Sequence, residues 1–392
     1  QPFIDIFDSQ PNLKIKQHVL LCIYQIIEEL STVLHSGWDV IFQILTLASL
    51  ENNSLKTKAY KLMDAIITTY LDSASNEKVH LMFVLMSFVQ NLPEDLSFSA
   101  VGRFSLISNI IQPTDHDGWE CLFQTLTKCT LMSSEKVKLC AEEALLSIVT
   151  IHGIQNNEFD DYLWNFFFEN VLKKIFAIKS GDDYGKNRLQ MFKLMFDHLF
   201  FKHSAFFGKY SLNIFNLILV CCKFPNRELS FLALKYLCNY LGDDESLKST
   251  LPNIKLFVDP LISAIPELVK FDTSSVMIVD IVDKTLGLSS DDISKRKYLI
   301  EVLFNMCDEC TGNALCSALK LTYRTLLSDE NYDSLIEFIH KPFEKYLNVK
   351  DSNKTEWDNT VIYFIREINK SDDLYFRQYV KSLKNVIKSL IE

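Results

Sequence analysis

Glycine and proline are scarce in this chain, at 10 and 9 of 392 residues. So few turn-formers argue against the many tight connections of a β-sandwich or barrel, and no stretch shows the period-two alternation of a half-buried strand. The sequence also lacks a Gly-x-x-x-x-Gly-Lys-Ser/Thr loop, a Gly-x-Gly-x-x-Gly turn, a Gly-x-Ser-x-Gly elbow and a His-Glu-x-x-His helix. Without Gly-rich loops the usual backbone cradles for phosphates and oxyanions are missing, and no cofactor site is read from the residues. Long apolar runs are absent too. The longest, Leu212 to Cys222, is interrupted by Asn213 and Asn216 and falls far short of the ~20 residues a spanning helix needs. A surplus of positive charge is also lacking. The formal net charge of -10 argues against nucleic-acid binding as the main task, which calls for a basic surface that releases counterions. Disulfide spacing is absent as well: Cys22, Cys121, Cys140, Cys222 and Cys238 sit within apolar helical runs and read as reduced, intracellular core residues. The chain opens on Gln1 with no Met, charged segment or signal-like apolar block, and reads as a piece of a longer protein.

What is present is apolar bulk with helical spacing. Hydrophobic residues make up 48% of the chain, with 29 Phe and 15 Tyr, so a substantial interior is implied. Ala59, Leu62, Met63, Ile66, Ile67, Tyr70 and Leu71 follow one another in steps of three, four and one, the mark of one buried helix face. The same steps recur at Val380, Leu383, Ile387, Leu390 and Ile391. The segment Gly37 to Thr46 (GWDVIFQILT) returns as Gly118 to Thr127 (GWECLFQTLT), 81 residues later. That interval is twice the ~40-residue period of HEAT and armadillo helix pairs. The expected fold is therefore all-α, an α-solenoid of HEAT/armadillo-like antiparallel helix pairs. Gly37, Trp38 and Phe42, with their counterparts Gly118, Trp119 and Phe123, are its expected structural anchors.

Polar clusters at Asn52-Asn53-Ser54, Ser133-Ser134-Glu135, Ser289-Ser290-Asp291-Asp292 and Ser371-Asp372-Asp373 read as helix N-caps rather than catalytic carboxylate pairs. Most prolines, Pro93, Pro113, Pro225, Pro252, Pro260, Pro266 and Pro342, are expected between helices. The stretch from Lys179 to Asn187 (KSGDDYGKN) reads as a flexible joint. It divides the chain into N-terminal repeats over 1–180 and C-terminal repeats over 181–392 that continue the same solenoid.

Few residues suggest chemistry. Cys307, Cys310 and Cys316 have thiolates spaced for a tetrahedral zinc, but Cys307 also continues the apolar face of Leu299, Val302, Leu303 and Met306, and His340 lies beyond a further helix. Buried helical cysteines, with no metal, are the favoured reading. Asp115-His116-Asp117 reads as a capping turn before Gly118. Trp38, Trp119, Trp164 and Trp357 read as core anchors, and the block from Leu163 to Phe168 (LWNFFF) as an inner helix. Arg377, Lys381, Lys384 and Lys388 form a basic strip on the last helix, a solvated face or a candidate site for an acidic partner or an anionic membrane.

Several segments, in order, resemble the Mon-two family, Golgi and endosome scaffolds related to the large Sec-seven-type Arf exchange factors. His35-Ser36-Gly37-Trp38-Asp39 is similar to the family's Gly-Trp-Pro segment, with Asp39 in place of Pro. Leu96 to Asn109 (LSFSAVGRFSLISN) is similar to an Asn-Ile-Ser-Leu-Thr-Ala-Ile-Gly block, keeping Ser97, Ala100, Gly102, Ile107 and Ser108, with Ser105 where Trp is usual. Val137 to Gly153 resembles a helix ending in His-Gly, here His152-Gly153, and Asn226 to Leu241 (NRELSFLALKYLCNYL) resembles a segment reading Asn-Glu-Val-Ser-Leu-Ala-Ala-Leu-Lys. The likeness covers residues 12 to 241 and matches the C-terminal helical region of the family.

The resemblance implies a non-enzymatic scaffold, peripheral on trans-Golgi or endosomal membranes, that supports traffic between those compartments through protein–protein contacts. Its implied partners are a Dopey-type protein, an Arf-like GTPase and a phospholipid flippase, none of which can be assigned to particular residues. The alternatives are the regulatory helical region of an Arf guanine-nucleotide exchange factor, a nuclear-transport-like HEAT cargo carrier, and, least favoured, an enzyme with a metal site at Cys307 and Cys310.

Overall fold

The computed structural model describes residues 2–35, 37–177, 185–200, 202–203, 207–224, 226–241, 257–272, 275–328 and seven positions between 355 and 366. Among these residues all regular structure is helical. The chain separates into two compact units, Gln1–His203 and Ser204–Glu392. Positions 179–184 of the expected joint lie outside the described residues.

The first unit is a stack of helix pairs. Its first helices are α1 (Pro2–Ser9), α3 (Gly37–Ser49), α5 (Lys78–Asn91), α8 (His116–Thr130) and α10 (Asp161–Phe166). The returning helices are α2 (Leu13–Leu30), α4 (Asn53–Thr69), α6 (Glu94–Gly102) with the short α7 (Phe104–Ile107), and α9 (Glu135–Ile148). After α11 (Lys173–Ile175), α12 (Gly185–Lys193) returns for the last pair. Each first helix packs on the next first helix, α3 on α5 and α5 on α8, and each returning helix on the next, α2 on α4 and α6 on α9. That double row defines an α-solenoid, the HEAT/armadillo-like architecture. The second unit has the same two rows. In it α13 (Ser211–Cys222), α15 (Val258–Phe271) and α17 (Ile293–Glu309) form one, and α14 (Arg227–Tyr240), α16 (Val276–Leu288) and α18 (Gly312–Ser328) the other.

Polar contacts between neighbouring pairs repeat with the solenoid period. Asp39 meets His80, Lys78 meets Asp115, Asp64 meets Arg103 and His116 meets Asp160. In the second unit Lys223 meets Glu267 and Asp283 meets Arg324. Most of these pairs are partly exposed, so each stabilises little alone. Their regular spacing fixes the register of one repeat on the next.

Local chemistry sets the helix starts. Asn52, Ser134 and Asp292 each accept a backbone N–H of the first turn that follows, from Leu55, Val137 and Lys295 respectively. Pro93 stands just before α6, and Pro266 lies inside α15, not between helices. The apolar content of α15 outweighs the one amide that proline withholds. Ile265 and Leu268 on either side of it are buried, which holds the helix in place. On α4, Ala59, Leu62, Met63, Ile66 and Ile67 are buried as the spacing requires, while Tyr70 and Leu71 lie just past the end of the helix and are half-buried.

Candidate functional site

The repeated Gly-Trp block opens α3 and α8, first helices with α5 between them, so the interval spans two pairs. Trp38, Phe42, Trp119 and Phe123 are all buried. Trp38 stacks on Phe42, and Trp119 packs against Phe123, Phe159 and His152. The Trp119 indole donates to the Gln112 carbonyl at 3.1 Å. Asp115 caps α8 by accepting the Gly118 amide, and a Cβ on Gly118 would come within 2.6 Å of the Asp115 carboxylate. Burial raises the Asp115 pKa, but the Lys78 ammonium and the Gly118 amide outweigh it and hold the carboxyl below its ordinary range. With these indoles inside the core, the block presents no surface for a ligand.

Ser108, His152 and Glu158 lie in line, an arrangement not foreseen from the sequence. His152 Nδ1 is 2.6 Å from the Glu158 carboxylate and Nε2 is 3.1 Å from Ser108 Oγ. Nucleophilic catalysis uses such a relay. Here Ser108 is 1% exposed and its hydroxyl donates to the Ser105 carbonyl, so no substrate carbonyl can reach it. The row joins one pair to the next across a sequence separation of 44 residues. It brings together two segments of the resemblance, since Ser108 and His152-Gly153 belong to different ones. Gly153 has a packing role: a Cβ there would lie 2.7 Å from Phe159 and 2.8 Å from Trp164. Gly153→Ala is expected to overpack this contact and cost about 1–3 kcal/mol, read as a lower urea midpoint; an unaltered midpoint would show that Trp164 and Phe159 move aside freely.

The buried cysteines offer no foothold for chemistry, whereas Cys22, read as a core residue, is exposed because it faces away from the neighbouring helices. All ten cysteines are free, and Cys307, Cys310 and Cys316 are buried, with Cys307 Sγ 3.4 Å from the Thr322 hydroxyl. Among the described residues no cluster of three His, Cys, Asp or Glu could hold a metal ion, and His340 lies outside them. Burial pushes the Cys129 thiol up to about 12 and those of Cys140 and Cys238 to about 11, so these groups stay protonated and poorly nucleophilic. Leu163, Trp164, Phe167 and Phe168 are buried, but Asn165 faces solvent, so that helix is inner on most and not all of its circumference. The basic strip of Arg377, Lys381, Lys384 and Lys388 falls outside the described residues, as does Trp357.

A surface site is present at the first two pairs. An open groove of about 450 Å³ lies between α2 and α4, lined by Leu20, Leu21 and Tyr24 on one side and by Lys58, Lys61 and Leu62 on the other. The two helices run in the same direction, since Lys16 near the start of α2 pairs with Glu51 just before α4. Leu21 and Tyr24 are 54% and 40% exposed, while Leu20 and Leu62 form the buried floor. Gln17 and His18 complete the polar rim, so no carboxylate lines the groove. Neither lysine of the rim is in an ion pair among the described residues, unlike Lys16 with Glu51 and Arg103 with Asp64 nearby. An apolar trough with an uncompensated cationic edge can hold a partner, but has no group arranged to do chemistry on it. Among the described residues no helix is long and apolar enough to cross a membrane.

Residues 1–65, which contain this groove, match the family model for the Sec7-like HDS region, described as Mon2/Sec7/BIG1-like. That region is a non-catalytic part of Sec7-like proteins. No curated protein matches the chain. Among solved structures the chain is similar to the crystal structure of an engineered protein, at 12% identity over 93% of this chain and 98% of that one. The TM-score of that match is 0.26.

Proposed function

We propose that this chain is a non-catalytic scaffold for protein and membrane traffic between Golgi and endosomes, acting through protein–protein contacts at the cytoplasmic face of trans-Golgi or endosomal membranes. The observation that carries the proposal is the match of residues 1–65 to a Sec7-like HDS model, on a chain folded as a helical solenoid. Solenoids offer long surfaces of parallel ridges and grooves, which suit them to assembly. By resemblance, the partners are a Dopey-type protein, an Arf-like GTPase and a phospholipid flippase. Proximity labelling by the tagged protein in cells is expected to mark Golgi and endosomal trafficking proteins, these among them. Labelling confined to nuclear-pore and Ran-type proteins would overturn the proposal in favour of a cargo carrier.

The family description also spans Sec7 and BIG1 types, which supports a second reading, the regulatory helical region of an Arf exchange factor. Nucleotide release from Arf-type GTPases separates the two. The scaffold reading expects no acceleration by the full-length protein; catalysed release supports the second.

A further inference from the structure

We propose that the groove between α2 and α4 is a docking site for an amphipathic helix with an acidic polar face, supplied by a partner protein. This proposal rests on the scaffold reading and names the chemistry of one of its contacts. Three observations converge on it. The groove floor is apolar, and Leu21 and Tyr24 stand on its lip one helical turn apart, the spacing at which one helix receives the side-chain ridge of another. Lys58 and Lys61 repeat that one-turn spacing on the opposite lip. Lys14 extends the positive edge along α2, one turn before His18, and it too is in no ion pair among the described residues. In a chain of net charge -10, three lysines without carboxylate partners beside exposed apolar side chains form a local positive field of the opposite sign to the whole.

Charge complementarity therefore selects the occupant. A helix bearing Leu or Phe at every third and fourth position would seat those side chains on Leu20 and Leu62, and Asp or Glu on its flanks would meet Lys58 and Lys61. A membrane surface is disfavoured because most of the apolar floor, Leu20 and Leu62, is recessed between two helices, leaving only Leu21 and Tyr24 to project.

The test uses the whole chain and a fluorescent helical peptide of about 18 residues, long enough for several turns, with Leu on one face and Glu on the other. Anisotropy titration is expected to show binding that weakens as NaCl rises from ~50 to ~300 mM. The double variant K58E/K61E, both exposed positions, should raise Kd about tenfold or more, and L21A/Y24A should do so with less salt dependence. Circular dichroism of each variant, unchanged from the parent, would show that the fold survives. Equal affinity for a peptide with every Glu replaced by Gln would overturn the proposal. So would undiminished binding by K58E/K61E, sedimentation with phosphatidylserine vesicles but no peptide binding, or self-association that L21A/Y24A abolishes. Cellular labelling of trafficking proteins by a parent chain that binds the Glu and Gln peptides equally would sink the groove and leave the scaffold standing. Peptide binding as expected, with labelling only of nuclear-transport proteins, would do the reverse.

Discussion

Trp119→Ala is expected to destabilise the first unit by about 3–5 kcal/mol, the range for removing a large aromatic from a packed core. Trp119 is fully buried. Its ring touches Phe123 on its own helix, His152 at the end of its own pair and Phe159 in the link to α10, so truncation opens a void where one repeat joins the next. It also removes the indole that satisfies the Gln112 carbonyl just before α8. Because each repeat leans only on its neighbours, the loss propagates along the stack through the His152 row. Urea denaturation followed by tryptophan fluorescence and helical circular dichroism measures the effect. A loss below about 1 kcal/mol would show that Phe159 and Phe123 collapse into the space and that the repeated block is dispensable. Trp38→Ala offers the comparison. Trp38 stacks on Phe42 as Trp119 packs on Phe123, but its indole nitrogen has no hydrogen-bond partner among the described residues. Its removal should therefore cost less.

The same residues mark how far the sequence could be read. The interval between Gly37 and Gly118 was legible as a repeat because identical neighbours recur in one register, and the solenoid places both at the start of first helices. Asn52, Ser134 and Asp292 were legible as caps because capping is local, involving only the next two or three amides. Pro266 was misplaced by the same local logic, since proline's preference for boundaries yields where buried neighbours hold a helix together. The Ser108–His152–Glu158 row was illegible. Its members are polar residues in separate segments, and only the stacking of one pair on the next brings them within reach. The groove was hidden for a related reason. Leu20 and Leu21 are adjacent and chemically identical, yet one is floor and the other is lip, a difference set by where α4 lies.

Glu142→Gln is expected to stabilise the protein at neutral and mildly alkaline pH and to have little effect near pH 5. Glu142 lies on α9, 3% exposed, and its Oε2 has no hydrogen-bond partner. Burial pushes its pKa up to about 8; Lys138 one turn earlier and Arg188 of α12 pull it down without offsetting the desolvation. In the unfolded chain the same group titrates near 4.5, its ordinary value. Between those two values the folded form keeps a proton that the unfolded form has released. Stability therefore falls as pH rises through that window and levels off above about 8. The penalty is on the order of a few kcal/mol at its full extent. Gln keeps the shape and stays neutral, so the variant should pull ahead of the parent from pH 5 to pH 8, seen as a widening gap in thermal midpoints. A gap that stays constant with pH would show that Lys138 and Arg188 compensate the carboxylate fully. A gap of the opposite sign would show that the three side chains form a stabilising ionic cluster, in which the charge on Glu142 is needed to bind α12 to α9.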